Sequence, residues 1–232
     1  MRFEVLTLFP ELINSHLDFS IMKRAKDDGV IEVNTINPRD FSLDKHKKVD
    51  DTPYGGGAGM VLAPQPYVDA YESVDKQENS ITIMMTPQGE PFTHEISKEL
   101  AKYEQVIILC GHYEGFDERI REIIKPREIS IGDFVLTGGE LPALCVIDSV
   151  SRNIEGTLGK IESAHDDSFA DGLLEYPHYT KPREYRGLEV PEVLLNGNHK
   201  LINEFRYSQK IERTKSKRPD LYEKWVDKNY EK

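Results

Sequence analysis

Two cysteines in 232 residues leave no room for a disulfide scaffold. Cys110 and Cys145 both lie among apolar neighbours and read as buried, reduced thiols, which points to the cytoplasm. No apolar run approaches the roughly 20 residues that span a bilayer. The first twelve residues, MRFEVLTLFPEL, hold one basic side chain and pass directly into strand-like alternation. They lack the apolar core and small-residue cleavage site of a signal peptide. Cysteine and histidine never gather at zinc-site spacing. Neither the dinucleotide fingerprint nor a phosphate loop with its lysine is present, and there are no internal repeats or low-complexity tracts. Positive charge is scarce: 30 Lys and Arg against 41 Asp and Glu give a net charge of −11, which argues against a general nucleic-acid coat protein.

The chain is 38% apolar and 31% charged, as expected for a soluble globular protein of one large domain, or a main domain plus a small one. Strand-like stretches at 2–9, 30–36, 80–85, 105–109 and 133–136 alternate with helical patterns at 18–28, 66–73, 93–103 and 116–124. Thr137 stands three residues before Glu140, a capping-box spacing that predicts a helix from there to about residue 153. Such alternation implies an α/β fold, a mainly parallel sheet with helices on both faces. Residues 155–171 read as a linker, and a proline-punctuated tail follows with helices at 201–215 and 219–228.

Glycine is placed where strands should end. CGHYEG at 110–115 and SIGDFVLTGG at 130–139 each close an apolar run, and Thr86-Pro87-Gln88-Gly89 is a turn signal after a third. The carboxyl ends of strands are where open α/β sheets bind ligands, so three such loops suggest a small-molecule pocket. Glu114 either meets a ligand amine or hydroxyl there, or is an ordinary helix-start charge. The run YGGGAG at 54–59 sits in a long polar loop, 37–63, and three consecutive glycines are costly in chain entropy. It reads as a substrate-facing loop or as a flexible lid. Asp50 and Asp51 beside it are metal ligands or, more commonly, solvated carboxylates. Asp148 and Arg152 are spaced for a structural ion pair. His165, Asp166, Asp167, Ser168 and Asp171 make the linker acidic, which alone is a weak sign of a general base. Residues 200–218 hold seven Lys and Arg against two Glu, a local +5 in a chain whose remainder is −16. That is a solvated helix face or a phosphate-gripping patch.

Taken together, YGGGAGM, CGHYEGFDER, SIGDFVLTGGELPA, DSFADGLLEYPHYT and the basic tail ending KRPDL resemble the bacterial tRNA (guanine-N1)-methyltransferases, members of the trefoil-knotted SPOUT class. The likeness runs from about Phe3 to Trp225. It implies a deep trefoil knot in a catalytic domain at 1–157, a flexible linker at 158–172 and a small all-helical tRNA-binding domain at 173–232. It implies S-adenosylmethionine as cofactor, with magnesium as a further candidate cofactor and no protein metal site. The expected cofactor residues are Met85, Thr86, Pro87, Gln88, Gly111, Tyr113, Glu114, Gly115, Ser130, Ile131, Gly132, Phe134, Leu136, Gly138, Gly139 and Pro142. The expected tRNA contacts are Asp50, Tyr54, Gly55, Gly57, Gly59, Ser168, Lys215 and Arg218. Asp167 would be the general base and Arg152 the group that stabilises charge on O6 of the guanine just 3′ of the anticodon, position 37. The family is homodimeric, which would explain an apolar helix at 141–150 that a monomer leaves partly uncovered.

Overall fold

The computed structural model describes residues 1–158 and 167–230. The chain divides into two compact units, Met1–Gly159 and Lys160–Lys232.

The first unit is built on a five-stranded sheet in which every pairing is parallel, in the order β2-β1-β6-β5-β7. These strands are β1 (Arg2–Leu6), β2 (Glu32–Ile36), β5 (Ser80–Pro91), β6 (Gln105–Cys110) and β7 (Arg127–Ser130). β6 lies in the middle and all six of its residues are buried, as expected for a strand covered on both faces. Its alternate side chains feed two cores. Val106, Ile108 and Cys110 join the first core with residues of α1 (Pro10–Leu17), α2 (Ser20–Asp27), α4 (His94–Leu100) and α6 (Glu140–Ser151). Ile107 and Leu109 join the second with Tyr67 and Ala70 of α3 (Pro64–Glu72) and Ile120 and Ile124 of α5 (Glu118–Ile124). Each such aliphatic side chain, fully buried, contributes about 1.5–3 kcal/mol. The long loop is more ordered than its composition suggests. A 3-10 turn at Pro38–Phe41 and a two-strand ribbon, β3 (Asp50–Asp51) against β4 (Val61–Leu62), organise it, and Val49 and Leu62 are fully buried.

Several expectations need correction. Pro10 does not close β1; it is the first residue of α1, where proline's missing N–H costs nothing. Residues 133–136 are not a strand. Gly132 at φ +148 turns the chain, Phe134 N donates to Gly132 O at 2.9 Å, and the edge strand is the more polar Arg127–Ser130 instead. Thr137 does not cap α6. Gly139 is the N-cap and has no side chain to bond the first turn, while the Glu140 carboxylate is engaged elsewhere. Cys110 is buried, but Cys145 is exposed, since α6 turns it outward while Ala143, Leu144, Val146 and Ile147 face the core.

The second unit carries α7 (His199–Lys217) and α8 (Pro219–Tyr230) around buried Leu173, Tyr176, Ile202 and Trp225. It also has an antiparallel hairpin, β8 (Glu184–Tyr185) with β9 (Leu188–Glu189), so it is not all-helical. Arg186 and Gly187 at the tip take positive φ, the geometry of a tight hairpin turn. Of the expected linker, 159–166 lies outside the described residues, while 167–172 is tied down. Lys210, buried, pairs with Asp171 at 2.5 Å, Thr214 Oγ1 accepts from Leu174 N at 2.9 Å, and Ser168 Oγ accepts from Glu175 N at 3.1 Å.

Candidate active site at the ends of three strands

Three loops leave the sheet side by side. β5 pairs with Ile129 twice, through Met85 and again through Glu90, so Thr86-Pro87-Gln88-Gly89 is pushed out of the ladder as an excursion. Gly89 has backbone of β7 against its α-carbon, and any side chain there would strike it. At the end of β6, Tyr67 Oη donates to Cys110 O at 3.0 Å and Gly115 N to His112 O at 3.0 Å. At the end of β7, Gly132 N donates to Ser130 Oγ at 3.2 Å. The returning chain closes onto the middle loop. Gly139 N donates to Gly111 O at 2.8 Å, and His112 bridges Gly138. A Cβ on Gly139 would stand 2.8 Å from Cys110 Cα and 2.9 Å from Gly111 N, so only glycine permits this approach.

The loops enclose a cavity of about 330 Å³. All sixteen residues expected to hold a cofactor line it. His112, Val135 and Thr137 of the same loops line it as well, and so do Phe116, Arg121 and Ile129, which stand outside the loops the sequence marked. Arg121 comes from the next helix and is held by Glu118 and Glu128 at 3.2 Å each, a placement with no local signal.

Beneath the cavity runs a polar chain that spacing could not show. Glu140 is 2% exposed; Thr7 Oγ1 donates to its Oε1 at 2.6 Å, and its Oε2 lies 2.7 Å from His112 Nε2. Phe9 N in turn donates to Thr7 Oγ1 at 2.9 Å. Cys110 and Tyr67 lie alongside, and burial pushes both their ionisations well up, Glu140 adding to the effect. Both are therefore neutral packing and hydrogen-bonding groups, not nucleophiles.

The glycine run meets the rim of this cavity. Gly55, Gly56, Gly57 and Gly59 all take left-handed φ, which answers why the chain places glycines there. Glu114 N donates to Met60 O at 3.0 Å, Leu62 N to Gly115 O at 2.9 Å, and a Cβ on Gly59 would collide with the Glu114 carboxylate. Asp50 lies in the ribbon below and Tyr54 is fully exposed at the tip. Among the described residues, no group of three or more His, Cys, Asp and Glu is placed to hold a metal, and no helix is long and apolar enough to cross a membrane.

Comparison with known proteins decides the family. The sequence model described as tRNA (Guanine-1)-methyltransferase TrmD matches residues 1–224. The chain belongs to the tRNA (guanine-1)-methyltransferase family. It is 56% identical over 231 residues to the tRNA (guanine-N(1)-)-methyltransferase of Clostridioides difficile (strain 630), covering 98% of this chain and 100% of that protein. It is 55% identical over 225 residues to the like-named protein of Staphylococcus epidermidis (strain ATCC 35984), covering 97% and 92%. Against that of Staphylococcus aureus (strain JH9) it is 53% identical over 232 residues, covering 100% and 95%.

The remaining expected residues are distributed over both units. Arg152 is exposed at the C-cap of α6 in the first unit. Asp167 and Ser168 open the described part of the second, half-buried. Lys215 lies over the Tyr222 ring at 5.9 Å, and Arg218 is held by both oxygens of Asp220, at 2.9 and 2.7 Å. With Lys210 also paired internally, the basic patch presents fewer uncommitted cations than its residue count implies.

Proposed function

We propose that this protein methylates N1 of guanine in tRNA, at position 37, with S-adenosylmethionine as donor. The observation that carries the reading is the convergence of three glycine-bearing loops on one cavity in a chain the family model matches almost end to end. The cavity fits the cofactor. Its volume lies within the roughly 300–1,000 Å³ range of small-ligand sites, its walls come mainly from the three loops, and the Gly139 approach keeps it clear. Met85, Gln88, Gly111, Glu114, Ile131 and Leu136, with their neighbours in the same three loops, would hold it. S-adenosylmethionine supplies an electrophilic methyl group there when bound.

The chain's own residues carry the proton and charge handling. Guanine N1 bears a proton at neutral pH and is a poor nucleophile until that proton leaves. The Asp167 carboxylate takes it. As it leaves, negative charge gathers on O6, and the Arg152 guanidinium donates hydrogen bonds to it. Holding N1 in line with the methyl group is a positioning task for the cavity loops and the glycine run. The target base is extruded from its stack to reach them. The segment 167–172 presents Asp167, while the 173–232 domain grips phosphates through Lys215, Lys217 and Arg218.

Two further readings belong to the same proposal. The three loops form a trefoil knot, a reading supported by the close backbone contact of 138–139 with 111–112. The protein acts as a homodimer in which a second copy covers the apolar side chains left exposed on α1 and α6, Phe9, Leu12 and Leu141 among them, with Cys145. A cytoplasmic location follows from the tRNA substrate. The deciding experiment incubates the protein with unmodified tRNA and methyl-labelled cofactor and maps the product nucleoside by mass. N1-methylguanosine at position 37 is expected; label on a ribose hydroxyl or another base would overturn the reading. Sedimentation should show a dimer that Leu141→Asp converts to monomer.

A further inference from the structure

The second unit carries a cavity of its own, about 500 Å³, between the segment 176–183 and α7. Its lining combines two chemistries. Val190, Leu194, Leu195 and Ile202 are apolar, and Tyr176, His178 and Tyr179 bring rings beside Lys181, Arg183 and Arg206. No carboxylate among the described residues lines it, although the whole chain carries −11. Glu175, just outside, lies 3.6 Å from His178 Nε2.

Arg206 is the informative residue. Its guanidinium lies 4.7 Å over the ring of Tyr176, which is buried and itself packs against His178 with centroids 4.8 Å apart. That contact uses the flat face of the guanidinium and leaves its edge donors for another group. Its Nε is buried and meets no hydrogen-bond acceptor among the described residues. A buried donor without an acceptor is rare in a native fold and calls for a reason. Arg183, His178 and Tyr179 are exposed at the mouth.

Exposed aromatic faces beside cations, with acids excluded, are what binds unstacked nucleotides of RNA. An acidic peptide would use the cations and leave the rings idle. We propose that this cavity is a nucleotide subsite: it takes one unpaired nucleotide of the RNA substrate, its base against the rings of His178 and Tyr179 and a phosphate or base-edge acceptor on Arg206 and Arg183. The proposal rests on the tRNA reading above and adds to it a site separate from the methyl-donor cavity.

The test uses the full chain with S-adenosylmethionine present. Tyr179→Ala, Tyr179→Phe, Arg183→Ala and Arg206→Gln are titrated against an unmodified tRNA transcript, with Lys215→Ala/Lys217→Ala alongside. Melting temperature and cofactor Kd report on folding. Tyr179→Ala and Arg206→Gln should each weaken tRNA binding about ten-fold, the size of one base–aromatic stack, with cofactor Kd unchanged. Tyr179→Phe should bind as the parent does. A transcript carrying 4-thiouridine in its loops should crosslink to the peptide containing 176–183. Parent-like tRNA affinity in Tyr179→Ala and Arg206→Gln, while the lysine pair binds worse, would discard the subsite and leave the proposed function standing. Failure of the parent itself to bind tRNA would remove both.

Discussion

Glu140 and His112 meet at 2.7 Å across the seam where the chain before α6 closes on the loop after β6. The same carboxylate takes a hydrogen bond from Thr7, so one buried side chain ties the ends of β1 and β6 to the start of α6. All three segments meet at the floor of the cavity enclosed by the three loops.

Glu140→Ala leaves Thr7 and His112 facing an unfilled space. An unmet buried polar partner costs about 1–3 kcal/mol, which in a protein of this size lowers Tm by about 2–4 °C for each kcal/mol. Glu140→Gln keeps the shape and an acceptor and should lose less. Thermal melting separates them, and calorimetry should show weaker S-adenosylmethionine binding in the alanine variant. Equal stability in both variants and the parent would show that the carboxylate ties nothing.

Gly139→Ala places a methyl group against Cys110 and Gly111 backbone, and neither can rotate away. The expected outcome is a folded protein whose cofactor affinity falls at least about ten-fold, since a misplacement of the order of an ångström in a positioned loop is enough for such losses. Calorimetry with circular dichroism checks it; an unchanged Kd would mean that the loops are slack.

Asp167→Ala should lose about 10²–10⁴-fold in single-turnover methyl transfer, and Arg152→Ala about 10²–10³-fold. Both should keep cofactor Kd near that of the parent. Near-normal transfer by Asp167→Ala would remove the aspartate from the base role.

Asp117 caps α5 through Arg119 N and holds the Arg119 guanidinium, and that hydrogen bond keeps its carboxyl below the usual 3.8. A carboxyl depressed in the fold stabilises fully above its unfolded value, and the contribution fades as pH falls through the lower folded one. Asp117→Asn, which keeps a capping acceptor, should therefore melt slightly earlier than the parent at neutral pH. The two melting curves should converge below about pH 4. A gap that persisted in acid would assign the difference to packing.

Lys215→Ala/Lys217→Ala should raise the tRNA KM and flatten the salt dependence of binding by about 0.7–0.9 in log–log slope for each phosphate no longer neutralised. Arg218→Ala should do less, because Asp220 already holds that guanidinium. An unchanged slope in the double variant would move the phosphate grip elsewhere.

How far the sequence could be read follows from the range of each interaction. β6 was legible because the five consecutive apolar residues Val106 to Cys110 suit a strand buried on both faces. The three loops were legible because glycine after an apolar run marks a close backbone approach, and Gly89 and Gly139 bear this out. Local patterns misled wherever a distant partner prevailed over them. DFVL alternates like a strand, yet Gly132 turns it away from any ladder. Thr137 and Glu140 have capping-box spacing, yet Thr7 and His112, 133 and 28 residues away, claim the carboxylate. Pro10 after the alternating run at 2–9 reads as the end of a strand, and the structure uses it instead as the first residue of α1. The roles of Arg152 and Asp167 came from family likeness, since neither stands in a pattern that names its chemistry.

The contact of Gly59 with Glu114 carries a consequence for regulation of turnover. The tip at 54–59 and the wall of the three-loop cavity share that carboxylate, so a ligand that displaces the tip also disturbs the wall. Linkage then runs equally in both directions: whatever factor a ligand of the cavity applies to binding at the tip, binding at the tip returns to that ligand.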